Sequence, residues 1–347
     1  MVTRPPLVGR GTTHNPPNRF DSLWIEPDDG PPSPADTRFF KDASRSVLSR
    51  NDSPDVGFSA SVNPYRGCEH GCVYCYARPT HEYFGLSLGL DFETRIMVKE
   101  DAPTLLRTAL SAPGWQPQTV ALSGVTDPYQ PVERRLGLTR KCLEVLVEFR
   151  NPVMIITKNA LVQRDADLLQ ELASFSAVCV CVSITTLNQD LVRVMEPRAV
   201  TPAKRLETLA ALRARGIPAG VLVGPIIPGL TDHETPSILE AAGQAGASFA
   251  SYTVLRLPHG LKELFEQWLD SHFPLRKDRI LNHIRAMRNG QLNDSTFGAR
   301  MRGVGAAADQ MATLFRLIRR RAGIPEERPH LSVSAFRSPT QKQLTLF

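Results

Sequence analysis

This sequence predicts an α/β fold: a partial parallel (β/α)6 TIM-like barrel with a basic helical C-terminal extension. Three observations carry the prediction. Short apolar, β-branched runs recur along the chain, each read as a strand buried on both faces. Amphipathic, helix-length stretches separate them. Six such units follow one another, and parallel strands need a helical crossover between each pair, right-handed by chirality.

The elements follow in order. A strand near Ser59–Asn63 leads into a group of cysteines, and further strands are expected at Thr119–Ser123, Val153–Thr157, Ala177–Ile184, Ala219–Val223 and Ser251–Leu257. Helices are expected at Thr139–Arg150, Asp165–Phe175, Thr201–Arg215, His233–Gly246 and Gly260–His272, the third opening on Thr201-Pro202 and closing before Gly216. Beyond Leu281 come a basic helical stretch and a helix near Ala306–Ala322. The chain therefore divides into a Pro-rich, largely disordered segment (1–55), the barrel (56–275), the basic extension (276–322) and a flexible tail (323–347).

Composition sets the class. At 347 residues and 42% hydrophobic, the chain can bury a large core. No apolar run is long enough to span a bilayer, so no membrane partner is expected. Met1–Arg10 is polar and lacks the apolar stretch of a secretory signal, which makes a cytoplasmic location the expectation. The net charge of +6 is unevenly spread: residues 276–321 hold 11 Lys/Arg against 3 Asp/Glu, and the rest of the chain is close to neutral. That segment is either a footprint for an anionic partner such as nucleic acid or a solvated basic helix face.

Of the six cysteines, three lie together in Gly67-Cys68-Glu-His70-Gly71-Cys72-Val-Tyr74-Cys75-Tyr76. In a reducing compartment such a cluster reads as metal ligands rather than disulfides. Gly67 and Gly71 permit tight turns and close backbone approach. Cubane iron–sulfur clusters are normally held by four cysteines, so three leave one iron open for chemistry. A zinc site is the alternative; it would need a fourth ligand, from His70 or a distant residue. Cys142 falls on an outer helix, and Cys179 and Cys181 share one face of an apolar strand, as small buried residues do.

Barrels of this kind place their active site at the C-terminal ends of the strands. The polar residues there should converge: the cysteines, Thr126-Asp127, Lys158, Ser183–Thr185 and the Pro225–Pro228 stretch.

The Cys-x3-Cys-x2-Cys spacing with Tyr74 before the third cysteine resembles the signature loop of radical S-adenosylmethionine (SAM) enzymes. Thr126-Asp127-Pro-Tyr-Gln-Pro-Val-Glu133, Thr157-Lys158, Ser183-Ile-Thr-Thr and Met195-Glu196-Pro197-Arg198 are similar to the spore photoproduct lyase group, bacterial members of which are described as DNA repair photolyases. The resemblance covers roughly Ser59 to His272. It implies a [4Fe–4S] cluster ligated by Cys68, Cys72 and Cys75, and SAM bound at the open iron and cleaved reductively to a deoxyadenosyl radical. It further implies Tyr74 beside the adenine, Thr126 and Asp127 at the SAM amino group, Lys158 at its carboxylate, and Ser183 and Glu196 near the ribose. Tyr76 matches a tyrosine of the lyase's radical relay. The lyase's hydrogen-donating cysteine has no counterpart in Leu122-Ser123-Gly124-Val125, which speaks against thymine-dimer reversal by that route.

The implied function is hydrogen abstraction from nucleic acid, in DNA repair or modification, with an electron donor such as flavodoxin or ferredoxin. Radical SAM modification of RNA or protein, and a non-catalytic zinc-stabilised nucleic-acid-binding module, are the competing readings. A second signal lies at the end of the chain: Gln343-Leu-Thr-Leu-Phe347 resembles the peptide by which bacterial repair and replication proteins dock on the sliding clamp.

Overall fold

A computed structural model describes residues 11–12, 15–16, 18–20 and 36–338. Ten strands are found among them: β1 (Arg38–Lys41), β2 (Leu48–Arg50), β3 (Ala60–Val62), β4 (Tyr65–Arg66), β5 (Arg95–Val98), β6 (Val120–Leu122), β7 (Val153–Thr157), β8 (Val178–Ile184), β9 (Ala219–Ile226) and β10 (Ala250–Val254). The main sheet runs β10-β9-β8-β7-β6-β3-β2. Its six strands from β3 to β10 are parallel, and β2 pairs antiparallel with β3. All six strands read from the sequence are in this sheet. It is open: β10 and β2 are its edges among the described residues.

The helices that cover the sheet include α1 (Ala102–Ser111), α2 (Leu138–Phe149), α3 (Ala166–Ser174), α4 (Pro202–Ala214) and α5 (Thr235–Gln244). Outward strand residues such as Val153, Ile155, Val178, Val180, Val182, Val221 and Val223 pack under them in the main core. Cys142 is buried in this core, on α2. The alternate positions face inward. Cys179 and Cys181 cluster there with Phe249, against Met154, Ile156 and Leu222. Burial drives both thiols up to about 12, which makes them inert packing groups.

Gly220 shows how tight this interior is. A Cβ there would lie 2.3 Å from the Phe249 carbonyl oxygen and 2.6 Å from its ring. Gly220→Ala is expected to destabilise the protein by about 1–3 kcal/mol, as overpacking a core does, read as a lower urea midpoint.

Two segments depart from the sequence expectation. Residues 36–55, assigned to a largely disordered stretch, form β1 and β2. No proline lies between Pro34 and Pro54, and β1 adds to a small separate sheet, β1-β5-β4. The tail is packed as far as it is described: Ile324 enters the main core, Leu331 meets the Cys179–Cys181–Phe249 cluster, and Phe336 lies 6.2 Å from Phe149, ring to ring. The apolar side chains find cover that sequence spacing could not announce. The clamp-like peptide Gln343–Phe347 lies outside the described residues.

After the barrel's last helix, α6 (Leu261–His272), the basic extension is helical, with α7 (Lys277–Ala286) and α8 (Ala306–Arg321), but its cations do not form one face. Arg288 is fully buried and donates to the carbonyls of Val254, Leu255 and Ala299. Arg300 pairs with Asp55 and Ser53, and Asp55 also accepts from the Gly298 N–H. This clasp joins the loop before β3 to the segment after β10, across the open side of the sheet. No described helix is long and apolar enough to cross a membrane.

Candidate active site

The three clustered cysteines occupy the loop after β4, and all are free thiols. Local geometry holds the loop closed. The Cys68 N–H donates to the Phe92 carbonyl and the Val73 N–H to that of Met195. Gly67 has φ +78°, and a Cβ on it would strike His81 at 2.8 Å and the Phe92 carbonyl at 2.9 Å, so only glycine fits.

Arg78 braces the loop from beneath. It is fully buried and donates to the carbonyls of Gly71, Cys72, Leu88 and Gly89 and to Glu93 Oε1 at 2.6 Å. Gly11, from the N-terminal segment, donates to the other Glu93 oxygen and packs on Gly71.

The thiols are near enough to feel one another's charge, and burial pushes Cys75 up to about 11 and Cys72 well above its ordinary value. Apolar walls surround them: Ala77, Phe92 and Val125 on one side, Val73, Tyr74 and Leu88 on another. Among the described residues, no group of three or more His, Cys, Asp or Glu converges on a point as a single metal ion requires. The candidate fourth zinc ligand, His70, is otherwise engaged: Nδ1 pairs with Asp127 at 3.4 Å and Nε2 meets Asn159 at 3.2 Å. Burial disfavours a charged ring, but Asp127 and the adjacent Cys68 sulfur outweigh it and raise His70 to about 10. Three free thiols on one loop with apolar walls match the ligand set of a cubane cluster with one open iron.

The strand-end residues fall into two groups. Tyr74, Lys158, Ser183 and Glu196 are brought together. Lys158 Nζ donates to Ser183 Oγ at 2.6 Å and to the Gly224 carbonyl at 3.2 Å, and lies 3.8 Å from Glu196. The Tyr74 hydroxyl donates to Glu196 and lies 3.1 Å from Thr185 Oγ1. Glu196 is fully buried and paired with equally buried Arg205, which also donates to the Ser183 carbonyl. Burial would raise the Glu196 carboxyl, but Arg205, Lys158 and the Tyr74 hydroxyl together hold it down at about 2.

Thr126 and Asp127 have a different task. The Thr126 hydroxyl donates to the Gly67 carbonyl at 2.8 Å and accepts from Gln130 at 2.9 Å. Asp127 accepts from the N–H groups of Tyr129 and Lys158 and from the Thr157 hydroxyl, besides pairing with His70. Both side chains are committed to fastening the cysteine loop to β6 and β7, and neither offers a spare atom for an amino group. The reason was not visible in sequence: their partners lie some 60 and 30 positions away.

Tyr76 stands apart, 46% exposed at the rim, its hydroxyl donated to the Gly124 carbonyl just past β6. Sequence reasoning gave no role to Arg78, Arg205 or Arg256, and gave His70 only that of a possible zinc ligand. Arg205 lies within the expected helix Thr201–Arg215, but only its buried partner Glu196 marks it.

Comparison with known proteins follows this geometry. The Radical SAM superfamily pattern matches residues 62–242, just over half of the chain. An uncharacterized protein of Mycobacterium tuberculosis is 38% identical over 219 residues, 62% of this chain and 64% of its own length. The Radical SAM Nalpha-GlyT isomerase of Pseudomonas phage M6 is 26% identical over 182 residues, 51% of this chain and 35% of the isomerase. The chain thus spans less than two thirds of the length of these curated relatives. In fold it is similar to spore photoproduct lyase complexed with dinucleoside spore photoproduct, with a TM-score of 0.57 and 15% identity over 82% of this chain and 78% of the lyase. A family-wide pattern over half the chain, with a loop of three free thiols, makes this protein a member of the Radical SAM superfamily, whose cofactors are a [4Fe–4S] cluster and SAM.

Proposed function

We propose that this enzyme abstracts hydrogen from a nucleic-acid substrate, most directly DNA undergoing repair or modification, at the C-terminal mouth of the six-stranded sheet. The observation that carries the reading is the rim itself. The Arg256 guanidinium lies 5.1 Å from the Tyr76 ring and that of Arg300 lies 4.5 Å from the Phe297 ring, both rings being about half exposed. Arginine beside accessible aromatic faces is the pairing that binds backbone phosphates and stacks unpaired bases. The description of one protein of similar fold supports it: spore photoproduct lyase is complexed with dinucleoside spore photoproduct.

Bound cluster and SAM supply a carbon-centred radical that takes a hydrogen atom. The residues of the chain hold and shield it. Cys68, Cys72 and Cys75 ligate iron. Lys158, a point charge steadied by Ser183 and the Gly224 carbonyl, holds the SAM carboxylate. Tyr74, anchored by Glu196, borders the adenine, and Ser183 and Glu196 border the ribose. Thr126 and Asp127 serve by fixing the loop. Tyr76, at the rim, would relay a hydrogen atom between the site and substrate by breaking and re-forming its phenolic O–H bond. A flavodoxin or ferredoxin delivers the electron, segment 276–321 adds phosphate contacts, and Gln343–Phe347 docks on a sliding clamp, which a pull-down with and without that peptide tests.

The experiment is anaerobic. The reconstituted, reduced protein is given SAM with DNA, RNA or a peptide mixture, and deoxyadenosine is measured by mass spectrometry. DNA is expected to raise the yield about tenfold over the others, a difference of about 1.4 kcal/mol in barrier. Equal yields with and without nucleic acid would sink the reading.

A further inference from the structure

Among the three described arginines at this strand end, Arg256, Arg288 and Arg300, Arg256 has the fewest acceptors. Arg78 and Arg205 each face a buried carboxylate and several carbonyls. Arg288 has three carbonyls, although its Nε is also buried without a partner. Arg256, two residues beyond β10 and half-buried, donates to the Met301 thioether at 3.7 Å, a weak acceptor. Its Nε is buried with no partner. A guanidinium carries five donors, and each one buried without an acceptor costs about 1–3 kcal/mol.

Charge around it compounds the deficit. Burial and the neighbouring Arg300 both act against the Arg256 cation. Arg288 is pushed down to about 10 by its own burial and then by Arg256. Asp55, whose field reaches Arg256, is already held by Arg300 and the Gly298 N–H. Three cations thus gather at one strand end, where Asp55 is spoken for and Asp294 faces Arg288 and Asn289. Such a cluster is stable when a ligand brings the missing negative charge.

We propose that Arg256 is an anion-binding residue of the mouth, taking a phosphodiester group of the substrate strand while the half-exposed Tyr76 ring beside it faces the adjoining base. The proposal rests on the nucleic-acid reading above and specifies its contact. The geometry favours phosphate over the SAM carboxylate. Arg256 sits one aromatic ring outward from the cysteine loop, whereas Lys158 lies among the ends of β7, β8 and β9. A planar fork also matches phosphate bidentately.

The test uses the full-length protein and its R256M and R256K variants. Anisotropy of a labelled single-stranded oligonucleotide is followed against salt, SAM and pyrophosphate binding by calorimetry, and unfolding by thermal melt. R256M is expected to weaken oligonucleotide binding about tenfold and to flatten the slope of log affinity against log salt by about 1. SAM affinity should be unchanged and the melting temperature equal or higher, because an under-satisfied cation has been removed. R256K should recover part of the affinity. Unchanged oligonucleotide affinity in R256M, with native binding intact, overturns the proposal and leaves the nucleic-acid reading standing. A parallel loss of SAM affinity, or a markedly lower melting temperature, also overturns it, since the residue would then serve the cofactor or the fold. If the native protein binds pyrophosphate through Arg256 but no oligonucleotide, the anion site stands and the nucleic-acid reading falls. If it binds neither, both fall.

Discussion

Changing Cys68, Cys72 and Cys75 together to Ala abolishes the brown iron–sulfur absorbance after reconstitution and takes deoxyadenosine production below about one hundredth of the native level. The expectation follows from the loop. Each cysteine is free, and His70, the candidate fourth ligand, is engaged by Asp127 and Asn159. Losing even an outer partner of a metal ligand commonly costs about 10–100-fold, and here all the ligands go. The fold itself should survive, because the loop is braced by Arg78 through main-chain carbonyls rather than through the sulfurs. A far-UV spectrum and melting curve close to native, with absorbance and activity gone, would confirm the division of labour. Iron–sulfur absorbance persisting in the triple variant would refute it.

The second large effect concerns stability. Glu196→Gln leaves Arg205 buried without its carboxylate, and breaking one partner of a buried pair costs about 3–5 kcal/mol. The same pair gives the native protein an acid-labile contribution. The Glu196 carboxyl is held down at about 2 against an ordinary value of 4.5. A depressed acid stabilises the folded state in full above its unfolded pKa and progressively less as pH falls through its folded one. The contribution, about 3 kcal/mol by linkage, is therefore complete at neutral pH and fades between about pH 4.5 and 2. Urea midpoints of native protein and E196Q should lie far apart at neutral pH and draw together over that acid window. Parallel pH profiles would show that Glu196 and Arg205 do not act as a pair.

Much of this was legible in the sequence, for physical reasons that also mark its limits. Val178–Ile184 and its fellow strands are continuous apolar runs because helices cover one face and the interior the other, so burial writes itself into composition. The cysteine spacing is legible because a cluster's ligands must come from one short loop. The ion pairs were not. Glu196 and Arg205, or Arg78 and Glu93, signal nothing singly, and their meaning depends on a buried partner elsewhere. Thr126 and Asp127 show the same limit from the other side. Their position at a strand end was right, yet hydrogen bonds tie them to Gly67, Thr157 and Lys158, which only the folded chain brings near.

The clasp between Asp55 and Arg300 has a temporal consequence. Its partners are 245 positions apart, so on a chain emerging from the ribosome the first exists long before the second. Every strand of the main sheet, and all three cysteines, will have left the exit tunnel while the seam still lacks its C-terminal half. Domains fold largely in the order of synthesis, at about 5–20 residues per second. For several seconds, then, the nascent enzyme has a formed cysteine loop and an unlatched side. A cluster delivered in that interval would enter through a wider opening than the finished molecule has.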